Sequence, residues 1–440
     1  MIQPQINNMI QSKKAANNGL VGIENTVPIS QTHNQLLASV RRPTNLQELE
    51  GLLAEAEWSC AAIFFTSPTC PPCKTLYPLY DELAAEAAHK AYLIMVDISQ
   101  AHDIGAKYGV RATPTFITFL HGKQENQWAG ADPGALRGNI KMLIQMAWPP
   151  HKHDSMRLPA LRKAGTKPVL YSKPPPLEKL KAKLGPTAED PALAGVMHFI
   201  SSRTRDAAAE STLPDLDSFG KFLSAAPLKL PPEVMFTIVD LLRAALVDPR
   251  FSGYFAEEKD HQTMARLFSY VSSLANCPYP LRLVTLQAAC NLFSSPLYPE
   301  HILGCPTLTD PIVQLITTSL LDDKHHNVRV AAASLSFNIA AANSRVRSEE
   351  HRDLLSESVQ IELAASLLEA ISVEEESPDA LKGFLLAFGY LTYCTSKSGE
   401  LVDLLTTMDA QSTLLAKKKL FPDETLIEEI GGQMLGSGLQ

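Results

Sequence analysis

The apolar run Ala61-Ala62-Ile63-Phe64-Phe65 ends just short of Cys70-Pro71-Pro72-Cys73, and Thr113-Pro114-Thr115-Phe116 opens a second apolar run further on. This order puts two cysteines, separated by two residues, at the junction between a buried strand and a helix, an arrangement suited to thiol redox chemistry. The free N–H groups of a helix starting after Cys70 would face its sulfur and, with the helix dipole, favour a thiolate there. Cys70 is therefore the candidate nucleophile. Cys73, one turn in, is the candidate resolving thiol that releases a mixed disulfide.

The rest of the composition narrows the class. At 440 residues, 45% apolar and 20% charged, the chain has the length of two or three ordinary globular domains. Its seven cysteines are odd in number and scattered, so they do not form a secreted disulfide framework, and the reducing cytosol or nucleus is the expected compartment. No apolar stretch has the length of a membrane span, and the polar opening Met1-Ile2-Gln3-Pro4-Gln5 is not a signal peptide. A net charge of −8 gives no support for nucleic acid as a partner. No cofactor motif is present, and no histidine has the spacing to complete a metal set with Cys60, Cys70 and Cys73.

Residues 43–148 resemble the thioredoxin fold. Beyond the cysteine pair, the resemblance rests on the strand Tyr92-Leu93-Ile94-Met95-Val96-Asp97, the run from Lys107 to Phe116, the turn His121-Gly122-Lys123 and Ala129-Gly130-Ala131 before a last helix. It implies that Pro114 follows a cis peptide and lies against the cysteines, and that Thr113 offers its backbone to an extended, thiol-containing client. The family also carries Trp before the first cysteine, Gly-Pro between the pair and a buried acid six residues upstream. Here those positions hold Thr69, Pro71-Pro72 and Phe64. Without the acid Cys73 is a poor attacking group, and two readings stand side by side: a dithiol oxidoreductase, or a thioredoxin domain kept as a binding scaffold.

Residues 1–42, rich in Gln, Asn and Ser, read as a disordered leader. Residues 149–185 read as a basic, proline-rich linker leading into the next domain, with nine lysines and arginines against Asp154 and Glu178. His151 and His153 fall in that linker and read as solvated, as do His325-His326 in a loop. From about Leu213 the apolar period becomes helical: Val234, Ile238, Leu241, Leu242 and Ala245 share one face behind Pro231-Pro232. Leu286 to Phe293 and Ala333 to Ala340 look alike, with Asn291 and Asn338 in matching places, at the period of about 40 to 47 residues typical of armadillo and HEAT repeats.

These helical segments, together with Leu385-Leu386-Ala387-Phe388-Gly389-Tyr390-Leu391, are similar to the PUL domain over roughly residues 168–435, and residues 186–440 are expected to form that domain. The resemblance implies an all-α, armadillo-like array behind the α/β thioredoxin-like domain, an order found in fungal multidomain proteins. It further implies a basic groove for the acidic C-terminal tail of a hexameric AAA ATPase, valosin-containing protein, and a link to ubiquitin-dependent protein handling. Arg243 aligns with a basic residue the family uses for the tail. Lys382 falls beside a second such position, which here is Gly383. Arg282 and Arg329 open repeat-like helices and are candidates to line the groove. Asn291 and Asn338 are candidates to hydrogen-bond an extended peptide or to satisfy neighbouring helix termini. No Gly-x-Ser-x-Gly elbow and no phosphate-binding Gly-rich loop is present.

Overall fold

The computed structural model describes residues 39–205, 211–397 and 399–439 and divides into two units, one through Pro149 and one from Pro150. Most of the proposed leader lies outside the described residues. Its last part does not, since Arg41 is already hydrogen-bonded to the strand at Leu93 and Met95. Among the described residues no helix is long and apolar enough to cross a membrane.

The first unit is a mixed four-stranded sheet between helices. Strands β1 (Cys60–Thr66), β2 (Tyr92–Asp97), β3 (Thr115–Leu120) and β4 (Lys123–Ala129) lie in the order β2-β1-β3-β4, with β1 and β2 parallel and the other pairings antiparallel. All seven residues of β1 are buried, because side chains alternate across a sheet covered on both faces. Ala62 and Phe64 join one core with Tyr80 and Phe116, and Ala61, Ile63 and Phe65 join the other with Leu49 and Ile94. His121 and Gly122, both at positive φ, make the tight turn that pairs β3 with β4.

The second unit is helical, as the change of apolar period predicts. Helices Pro232–Ala245, Tyr279–Leu292, His326–Glu350 and Pro378–Thr392 pack in succession as one layer. Leu216–Lys229, Gln262–Ser273, Pro306–Leu320 and Glu357–Val373 form the layer behind it. A single apolar core runs through both layers. The expected α/β unit followed by an all-α array is thus what the chain forms.

Residues 149–185 do not form the solvated linker that their lysines and prolines suggest. They contain the helices Pro159–Ala164 and Leu177–Leu184, and the extended stretch between them crosses the face of the four-helix layer as a strap. Its root is held by the C-terminal stretch Glu428–Gly438, where the Glu429 carboxylate accepts the N–H groups of Ala160 and Leu161 at 2.8 and 3.0 Å. That carboxylate satisfies amides at the start of a helix that lack intrahelical partners.

Candidate functional site

Cys70 caps the short helix Pro71–Lys74 from an extended conformation, with Pro71 and Pro72 in the first turn, where missing N–H groups cost nothing. Its sulfur accepts the Cys73 N–H at 3.2 Å and is disulfide-bonded to Cys73. The helix stops after Lys74 and a second one begins at Tyr77. One close amide, rather than a long helix, therefore supplies the polarity at Cys70. The Thr113-Pro114 peptide is cis, and the Thr113 carbonyl oxygen lies 3.5 Å from the Cys70 sulfur. The four residues singled out in the sequence are thus brought together. Cys70 is 7% exposed and Cys73 0%, so of the two only Cys70 keeps any contact with solvent.

Behind the pair the surroundings are aromatic. Phe64 is stacked on Phe116 at 4.7 Å between ring centroids and meets Tyr80 edge-on at 5.2 Å, while Phe116 stacks on Trp128 at 5.1 Å. Tyr80 is no substitute acid: burial pushes its pKa far up, and its hydroxyl is engaged with the Ala62 and Ile94 carbonyls. An ionised carboxylate at position 64 would cost several kcal/mol in such a site, so the aromatic stack and an acid there are mutually exclusive solutions.

In the helical unit three of the expected groove residues, Arg243, Asn291 and Asn338, grip the strap. Asn338 accepts the Val169 N–H at 2.7 Å and donates to the Val169 carbonyl at 3.0 Å. Asn291 does the same for Tyr171 at 2.7 and 3.0 Å, and its amide also reaches the Arg243 carbonyl at 2.8 Å, tying the neighbouring helix. The asparagines do bind an extended peptide, and that peptide belongs to the same chain.

Arg243, which the resemblance to the PUL domain placed in a groove, is 5% exposed. Its guanidinium donates to the carbonyls of Tyr171 and Lys173 at 2.6 and 2.9 Å and to Asp240 at 2.7 Å. Arg282 and Arg329 are likewise engaged. Arg282 pairs with Asp322 at 3.6 Å, and Arg329 donates to Glu374 at 2.9 Å and to the Asp322 carbonyl. Lys382 alone of these bases is exposed. Its neighbour Gly383 explains the missing charge: a Cβ there would stand 2.8 Å from the Ala333 Cβ, because the two helices touch at that point.

Several residues that shape this unit were misread or missed in the sequence, and His153, expected to be solvated, is the clearest case. His153 is fully buried, with Nδ1 accepting the Cys394 N–H at 2.9 Å and Nε2 donating to the Met434 carbonyl at 3.2 Å. The Tyr390 hydroxyl reaches the Leu161 and Gly165 carbonyls at 3.0 and 2.9 Å. Arg347 closes the end of its helix on Asp353, Gln360 and the Leu391 and Tyr393 carbonyls. A lone charged or aromatic-hydroxyl residue on an otherwise apolar face was the available signal.

Comparison with known proteins agrees with both units. The thioredoxin family model matches residues 47–142. A thioredoxin-like protein of Fusarium culmorum is 32% identical over 115 residues, covering 24% of this chain and 93% of that protein. The TPR repeat-containing thioredoxin of Arabidopsis thaliana is 36% identical over 78 residues, and the chain spans only 20% of its length. Thioredoxin-like protein 1 of Schizosaccharomyces pombe is 35% identical, and the chain spans 27% of it. Among solved structures, Fasciola hepatica thioredoxin is 30% identical, with 24% of this chain and 99% of that chain covered at a TM-score of 0.23. The PUL domain model matches residues 165–433, more than half of the sequence and inclusive of the strap. The chain therefore belongs to the PUL-domain family and carries a thioredoxin domain ahead of its PUL domain.

Proposed function

We propose that the protein is an adaptor of a hexameric AAA ATPase of the valosin-containing type in ubiquitin-dependent protein handling, and that its PUL unit receives the acidic C-terminal tail of that ATPase. The observation that carries this reading is the strap. Residues 150–185 hold nine basic and two acidic residues in a chain whose net charge is −8, and hydrogen bonds at Val169, Tyr171 and Lys173 fix their extended stretch across the four-helix layer. Lys167 and Lys173 are exposed there. The positive charge offered to a carboxylate-rich peptide thus comes from the strap lysines, while Arg243, Asn291 and Asn338 hold the strap in place. Exposed ion pairs are screened by salt, so affinity falls as ionic strength rises.

The test is calorimetric titration of the full chain with a synthetic acidic C-terminal peptide of the ATPase at low and moderate salt. Salt-sensitive binding that Lys167→Glu and Lys173→Glu each weaken supports the reading. Absence of binding at both salts defeats it.

A second reading is thiol–disulfide exchange at Cys70, favoured by the closed disulfide and the adjacent Thr113 carbonyl. In the reduced form the Cys70 thiolate would attack a client disulfide, expel one client thiolate and form a mixed disulfide. Cys73 would then lose its proton to solvent and displace the second client thiolate. Insulin-disulfide reduction by the wild-type chain, abolished in Cys70→Ser, supports it. An inactive wild-type protein leaves the domain a scaffold.

A further inference from the structure

At the root of the strap, His151, His153 and Cys394 come together: one ring nitrogen of each histidine and the cysteine sulfur all lie within 4.8 Å of one another. The histidines come from the turn Lys152–Ser155 and its cap, and the cysteine follows the helix Pro378–Thr392. We infer that these three side chains form a binding site for a divalent transition-metal ion of zinc type, which fastens the strap to the last repeat.

The hydrogen bonds of His153 fix its tautomer. Nδ1 accepts an N–H from the Cys394 backbone, so the proton is on Nε2, which donates to the Met434 carbonyl. A metal-ligating histidine almost always gives its second ring N–H to a carbonyl or carboxylate in this way. The lone pair of Nδ1 already points at residue 394, and a metal between Nδ1 and the cysteine sulfur would replace one backbone N–H as its partner. His153 is also held neutral, since burial and the neighbouring His151 push its pKa down to about 4.

His151 contributes a second nitrogen. Its Nε2 is buried and has no hydrogen bond of good geometry, the Thr395 backbone being a further neighbour of the ring. Its Nδ1 accepts the His153 N–H at 3.1 Å. Coordination through Nε2 moves the ring proton to Nδ1 and gives up that one bond. Cys394 is itself held in a left-handed backbone conformation, φ 55°, rare outside glycine and asparagine.

The thiol is protonated without metal, because burial and then Asp154 push its pKa up to about 12. Binding breaks the S–H bond, forms the sulfur–metal bond and releases one proton to solvent, so affinity rises with pH. Two nitrogens and one sulfur suit zinc and its spectroscopic substitute cobalt better than magnesium or calcium, which prefer oxygen. Asp154, with Oδ1 3.4 Å from the sulfur, places a carboxylate oxygen beside the cluster.

The probe is Co²⁺ titrated into the full-length chain carrying Cys70→Ser and Cys73→Ser, which removes the other closely spaced thiols. The expected result is one equivalent with a thiolate-to-cobalt charge-transfer band, displaced by Zn²⁺. Cys394→Ser in that background should abolish the band, and His151→Gln should weaken binding about tenfold or more. Zn²⁺ should raise the unfolding temperature of the parent and leave that of His151→Gln nearly unchanged. No charge-transfer band in the parent, or a band that survives Cys394→Ser, overturns the site.

Discussion

The side-chain amide of Asn291 holds the backbone of Tyr171 at both of its polar groups, N–H and carbonyl, as a neighbouring strand would. Asn291 is fully buried and has a third partner in the Arg243 carbonyl. Replacing it by Ala strands several groups at once, and each buried orphan costs about 1–3 kcal/mol. Asn291→Ala is expected to lower stability by about 2–4 kcal/mol in urea unfolding. Amide exchange should accelerate at residues 167–173 before it does in the helix cores.

Arg243→Glu should behave unlike a surface charge reversal. It would set a carboxylate against Asp240 and two strap carbonyls in a site now closed around a guanidinium. Breaking a buried charged pair costs about 3–5 kcal/mol, so this variant is expected to lose stability and release the strap. Lys173→Glu, on the exposed side of the same segment, should keep the unfolding midpoint within about 0.5 kcal/mol of wild type. Comparing the two by thermal unfolding separates holding the strap from presenting its charge.

Gly383→Ala pits two effects against each other. Alanine favours a helix over glycine by about 1 kcal/mol, whereas forcing a methyl group into a packed contact costs about 1–3 kcal/mol. Ala333 belongs to a helix packed tightly along its neighbour, so overpacking should win. A net loss of about 1 kcal/mol is expected in denaturant unfolding. A gain in stability would show that the helices separate easily there.

The His301 ring lies 4.5 Å from that of His261, and burial, then the neighbouring histidine, depress its pKa below the ordinary 6.5. The unfolded chain therefore takes up a proton that the folded chain refuses. The stability lost through His301 begins to go as pH falls through 6.5 and levels off below the depressed folded value. Urea midpoints between pH 7.5 and 5.5 should fall less steeply in His301→Gln than in wild type.

The elements whose pattern repeats over a few residues were legible in the sequence. Strand β1 announced itself by its apolar run, and the helices by their spacing of three and four. Cys70 and Cys73 could be placed together because a strand-to-helix junction constrains them locally, whereas Thr113 and Pro114 were placed against them only by the resemblance to the thioredoxin fold. The strap could not be read this way. An extended stretch of Lys, Pro and Ser has no period, and what orders it comes from Arg243, Asn291 and Asn338, far along the chain. The matching positions of the two asparagines pointed to an extended peptide without revealing whose. His153 misled for the same reason, since its polar neighbours suggested water while Met434 and Cys394 enclosed it.

An open stack of helical repeats contacts only its neighbours, so it can fray from either end while the middle stays folded. Here the strap runs from the last helices, at Glu429 and Tyr390, to Arg243 near the first, which makes the array topologically a closed circuit. Loosening the final repeat also withdraws the partners of Asn338, Asn291 and Arg243. Unfolding should then be a single cooperative transition, in a protein whose repeat architecture would otherwise permit several.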